Sequence, residues 1–215
     1  MDKPSRKHVV IAGTGRAGTT FLVQLLTNLK LDTGFTGETM RNRIDEVARA
    51  GLENDVRKES APYIVKSPWF FEIASEVVNR KDIILEHVFI PMRDLHSAAE
   101  SRRQVTRDAV SRMTFFKRLK GKIKPPKVAG GLVYSRLPWK QEKILLVRFY
   151  ELALTLSEGQ IPVTLLQYPK LVSDSAYLYE KLKPVLRTIS REEFSLIFNQ
   201  TVRPDLVHNF KKSEF

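Results

Sequence analysis

"IAGTGRAGTTFLVQLL", residues 11–26, decides the fold. An apolar run at 9–12 empties into Gly13-Thr14-Gly15-Arg16-Ala17-Gly18-Thr19-Thr20. Phe21, Leu22, Leu25, Leu26 and Leu29 then recur at helical spacing. Strand, glycine-rich turn and helix in that order form a concave row of backbone N–H groups backed by a helix N-terminus, which suits a tetrahedral anion. Gly13, Gly15 and Gly18 permit the positive φ values and the close approach such a turn needs. Arg16 adds a planar fork of donors, and Thr19 and Thr20 add hydroxyls. The lysine that a nucleoside-triphosphate loop carries after its last glycine is replaced by Thr19. A mere turn has little use for an arginine and two threonines, so an anion site is expected over Gly15, Arg16, Ala17, Gly18, Thr19 and Thr20.

Further apolar runs at 63–66, 87–92 and 162–167 read as buried parallel strands beside the first at 8–12, with a shorter candidate at 31–33. Helical patterns lie between them. Asp94 stands as a helix cap, residues 139–156 are apolar on most sides as a buried helix would be, and a last helix is expected over 176–186. Strands alternating with helices predict a doubly wound α/β fold, three layers around a parallel sheet of about five strands, in one domain spanning 1–215. In such folds ligands sit beyond the carboxyl ends of the strands. Three polar clusters follow strands here: residues 13–20, Lys66-Ser67 and Arg93-Asp94.

Composition narrows the class. At 42% hydrophobic and 28% charged residues, the chain is an ordinary globule. It has no cysteine, which excludes disulfides, thiol catalysis and cysteine-bound metal. No apolar stretch reaches the roughly 20 residues a bilayer span needs, and the N-terminal octapeptide lacks the apolar core of a secretory signal. A cytoplasmic protein is expected. The net charge is +12, and ten Lys or Arg against the one acid Asp108 fall between Arg102 and Lys127, a field that attracts anions. The paired prolines and glycines of 121–132 read as an open loop, so residues 102–132 form a basic insertion that could close as a lid.

Gly-x-x-Arg-Ala-Gly-Thr-Thr-Phe-Leu resembles the 5′-phosphosulfate loop of the sulfotransferases, P-loop-like enzymes that use 3′-phosphoadenosine 5′-phosphosulfate. "FIPMRDLHSAAESRR" is similar to the family's second motif, a strand ending in arginine with a serine eight residues later. The resemblance implies that Arg93 and Ser101 hold the 3′-phosphate. "VTLLQYPKLVSDSAYLYEKL" is similar to the family's late strand, tyrosine-containing turn and following helix, so the likeness covers most of residues 8–186. It implies a P-loop-like sulfotransferase fold and sulfuryl transfer, without a required metal, to an acceptor hydroxyl or amine. Two departures stand out. No histidine follows Lys66-Ser67-Pro68, and the C-terminal part lacks the glycine- and lysine-rich segment that clamps the 3′-phosphate in the cytosolic enzymes. The adenine contacts therefore have no assigned residues.

Sulfuryl transfer needs a base for the acceptor proton and positive charge near the departing oxygen. The base candidate is Glu38 in "GFTGETMRNR", which resembles the Gly-Glu stretch of tyrosylprotein sulfotransferases. Asp45 and Glu46 are weaker substitutes, and Glu38 also reads as a first-turn residue favoured by a helix dipole. Lys66 is the electrophile candidate, because a lysine ending an apolar strand is costly unless its charge is used, and Arg16 shares that work. Lys66 snorkelling to solvent is the competing reading. Two other functions remain open: a P-loop phosphotransferase with a degenerate loop, and a non-enzymatic module binding polyanions through the basic stretch. An anionic or glycosylated acceptor suits the charge. Nucleic acid is not expected as a partner, because only Phe115 and Phe116 interrupt the basic residues.

Overall fold

The computed structural model describes residues 4–44, 51–112, 130–134 and 137–206. Strands β1 (Arg6–Ile11), β2 (Ile64–Lys66), β3 (Ile83–Met92) and β4 (Val163–Gln167) pair in the order β2-β1-β3-β4, all parallel. The helices are α1 (Thr19–Asn28), α2 (Gly37–Arg43), α3 (Phe70–Val78), α4 (Leu95–Ser111), α5 (Gln141–Glu158), α6 (Ser175–Leu186) and α7 (Arg191–Thr201).

Alternation along β1 sets up the layers. Val9 and Ile11 face a core shared with Leu22, Leu25 and Leu26 of α1, Leu178 and Leu182 of α6, and Phe194 and Phe198 of α7. Val10 and the following Ala12 face the other way, onto Phe70, Ala74 and Val77 of α3 and Leu152 and Leu156 of α5. Helices therefore cover both faces of the sheet, the arrangement that parallel strands require. Among the described residues, no helix is long and apolar enough to cross a membrane.

Among the described residues the sheet has four strands, where about five were expected. Residues 31–33 lie along the outer edge of β2, and the Asp32 carbonyl accepts the Ile64 N–H at 2.8 Å. No ladder follows, because the Asp32 carboxylate takes the Gly34 N–H at 3.2 Å, the donor a next ladder bond would use, and Gly34, at φ 74°, turns the chain away. β3 begins four residues earlier than the apolar run suggests. Helix α5 is also less buried than expected: Leu145, Leu152 and Leu156 face inward, while Leu146, Tyr150 and Leu154 are exposed.

Candidate anion site

The loop of residues 13–18 leaves the end of β1 and enters α1. Gly13, Gly15 and Gly18 have φ values of 112°, 68° and 89°, and Arg16 shares the left-handed region at 60°. No side chain caps α1, in contrast to α2, α4, α6 and α7, which Thr36, Asp94, Asp174 and Ser190 cap. The orphan N–H groups of the first turn of α1 thus follow directly on the loop, with no capping side chain to satisfy them. Ala17 and Thr19 are buried beneath it.

Cations converge on this loop from three strand ends. Arg16 Nε donates to Ser101 Oγ at 3.0 Å, and Arg93 Nη1, from the residue after β3, donates to the Arg16 carbonyl at 3.0 Å. The residues assigned by resemblance to the two ends of a nucleotide therefore meet at Arg16. Arg93 also lies over the Tyr168 ring, 4.8 Å from its centroid. Burial lowers the Arg93 pKa, with Tyr168 and Asp94 opposing. Asp94 itself accepts the Ser97 N–H at 2.8 Å as the cap of α4.

Lys66, the last residue of β2, is 2% exposed. Its Nζ donates to Thr20 Oγ1 at 2.9 Å, to Glu53 Oε1 at 2.8 Å and to the Gly51 carbonyl. Burial lowers its pKa, Glu53 works against that shift, and Arg16 adds repulsion. The head is held in the site, so Lys66 does not snorkel. Glu53 keeps 40% of its side chain exposed, leaving this carboxylate a solvent face beside the buried ammonium. Glu38 is exposed in the first turn of α2 and is not among the groups bonded to Lys66. Asp45 and Glu46 lie outside the described residues.

Two members of the cluster escaped the sequence reading. Glu53 sits in a stretch without periodicity, placed where the Asn54 N–H donates to the Lys66 carbonyl at 3.1 Å. Arg102 counted only as the first of the basic run, yet it is 3% exposed. Its Nη1 donates to the Gly131 carbonyl at 2.7 Å, its Nη2 donates to the Thr14 carbonyl, and its Nε is buried without a partner. Burial, with repulsion from Arg16 added, pushes its pKa down to about 9, still above neutrality. Its immediate succession to Ser101 on α4 was the available signal.

The rest of the described basic stretch is less free than its composition implies. Arg103 pairs with Glu100 at 2.5 Å and Glu142 at 3.3 Å, and Arg107 pairs with Glu100. Residues 113–129, including most of the expected lid, lie outside the described residues. His96 meets Glu142 at 3.0 Å, not the glycine loop. Among the described residues no group of three or more His, Cys, Asp or Glu could hold a metal ion.

Arg16, Lys66, Arg93 and Arg102 thus gather at one edge of the sheet, with Glu53 as the acid paired into the cluster. A second and larger negative charge satisfies such a group far better than water does. No protein-family model matches the chain, and no curated protein matches it.

Proposed function

We propose that the chain is a sulfotransferase that takes the sulfuryl group of 3′-phosphoadenosine 5′-phosphosulfate to an acceptor hydroxyl or amine. The observation that carries the reading is the meeting of Arg93 and Ser101 with Arg16 on a glycine loop that runs straight into the uncapped start of α1. The residues suit the nucleotide: the loop and α1 offer N–H groups to a 5′-phosphate, and the Arg16, Arg93 and Ser101 side chains offer charge-assisted donors to its two phosphates. Bound there, the nucleotide supplies a sulfuryl group whose bond to the 5′-phosphate breaks as the acceptor oxygen bonds to sulfur.

The protein's part is positioning and charge. Lys66, fixed between Thr20 and Glu53, places an ammonium against the negative charge that builds on the departing oxygen. Arg16 adds a second cation from the loop. Glu53 is the carboxylate best placed to take the acceptor proton, ahead of Glu38, because it stands beside Lys66 with one face in solvent.

Calorimetric titration with 3′-phosphoadenosine 5′-phosphate tests the reading. Binding is expected with or without magnesium, and Arg93→Ala should weaken it about tenfold or more, the scale of a lost charged hydrogen bond. Absence of binding to folded protein would sink the reading, as would an Arg93→Ala variant that binds undiminished. Binding of ATP only with magnesium would favour a phosphotransferase instead.

A further inference from the structure

Helix α5 turns Leu145, Leu152 and Leu156 into the protein and leaves a second apolar face in solvent. Tyr150 is 67%, Leu146 55%, Leu154 47% and Val147 43% exposed. On a helix these four lie on one side. Lys143, Val147, Tyr150 and Leu154 follow one another in steps of four and three residues, the spacing of a seam between two helices. A contiguous apolar stripe of this kind marks an interaction surface. Its two ends carry opposite charges: Lys143 stands in the first turn of α5, and Glu158, one turn past Leu154, is its last residue, both exposed. Among the described residues neither meets an opposite charge, whereas Glu142, Arg148 and Glu151 on the same helix are all paired. Both also stand at the wrong ends of their own helix, whose N-terminus disfavours a cation and whose C-terminus disfavours an anion.

We infer that this face is a self-association surface, on which a second copy of the chain lays its own α5 antiparallel about a two-fold axis passing between residues 150 and 151. In that register Val147 of each copy packs against Leu154 of the other, and the two Tyr150 rings meet near the axis. Lys143 of each copy comes opposite Glu158 of the other, twice per dimer. The same arrangement sets each misplaced charge beside the helix end of opposite sign. A parallel copy would put Lys143 against Lys143 and Glu158 against Glu158, so the charges admit one orientation. Such an isologous contact uses one self-complementary patch on both copies. With 18 residues, α5 is about 27 Å long. A single helix pair of that length covers less than the roughly 1,600 Å² of a standard interface, so a dimer of micromolar affinity is expected. The inference is independent of the sulfotransferase reading, since Arg16, Lys66, Arg93 and Ser101 all lie on other elements.

Sedimentation velocity of the full chain over about 1 to 100 μM tests this, and the wild type should pass from monomer to dimer across that range. Lys143→Glu and Glu158→Lys should each weaken the dimer about tenfold or more, because each sets like charges opposite one another at both contacts. Neither should lower the thermal midpoint of the monomer, since both positions are exposed and each change removes a charge from the wrong helix end. Mixed in equal amounts, the two variants should pair with each other at wild-type affinity, because K143E then meets E158K with opposite charges at both contacts. The double variant should recover the dimer by itself for the same reason. Tyr150→Asp should leave a folded monomer. A wild-type chain that stays monomeric throughout would overturn the inference, whether another protein or a lipid surface covers the stripe instead. So would a dimer that survives Tyr150→Asp, or two charge variants that fail to rescue one another on mixing.

Discussion

Arg16 carries the loop in a backbone region that costs a residue with a side chain about 1–2 kcal/mol. Its φ of 60° is held by the Arg93 donor on its carbonyl and the Ser101 hydroxyl on its guanidinium. Gly15 beside it has no such latitude: φ is 68°, and a Cβ would come 2.7 Å from Arg102 Nη2. Gly15→Ala should therefore destabilise the fold by about 1–3 kcal/mol in urea denaturation, combining left-handed strain with displacement of a buried arginine. At this scale the sequence was most informative. Gly13, Gly15, Gly18, Arg16, Lys66 and Arg93 announce themselves because each is a polar or glycine residue directly after an apolar run. Glu53 and Arg102 do not. One belongs to no pattern, and nothing in one dimension separates a buried arginine from its solvated neighbours in a basic stretch.

Helix α4 brings together what the strand ends alone could not. Asp94 caps it, Ser101 reaches Arg16 two turns on, and Arg102 follows into the interior beside Ala98, Ala99 and Val105. Cap and contact can be separated. Asp94→Ala should cost about 1 kcal/mol of stability and change nucleotide affinity less than Ser101→Ala does. Ser101→Ala should weaken the nucleotide several-fold with little effect on the denaturation midpoint; equal effects on affinity from both would remove Ser101 from the site. Element boundaries were read less well than element types. Residues 31–33 have a strand's composition, but the Asp32 carboxylate takes the Gly34 N–H that a ladder would need. Residues 139–156 have apolar side chains on several faces, which hid the fact that one face is outward. α3 begins inside the aromatic run at Trp69, where helix and buried strand look alike over a few residues.

Across the molecule, the four-stranded order puts β1 and β3 at the centre and the ends of β1, β2 and β3 at one edge, which is why three polar clusters distant in sequence become one site. The same burial makes the fold acid-sensitive. His8, 2% exposed with Nδ1 at 2.8 Å from the Pro62 carbonyl, has its pKa lowered by burial, and so does His87 beside Thr164. The unfolded chain takes up these protons near pH 6.5, whereas the native state resists until lower pH. Stability should be fully present above pH 6.5 and fall as pH drops from there through the depressed native values. Thermal midpoints from pH 8 to 5 check this, and His8→Gln should flatten the slope. The α/β class with its parallel sheet was legible because alternation of strand and helix is a whole-chain property; the strand count was not, because it turns on a single edge. Arg102 grips the Thr14 carbonyl with one nitrogen and the Gly131 carbonyl with another. That clasp ties the glycine loop to the backbone at Gly131 through a single buried guanidinium. Replacing that one buried side chain therefore releases two distant stretches of backbone at once.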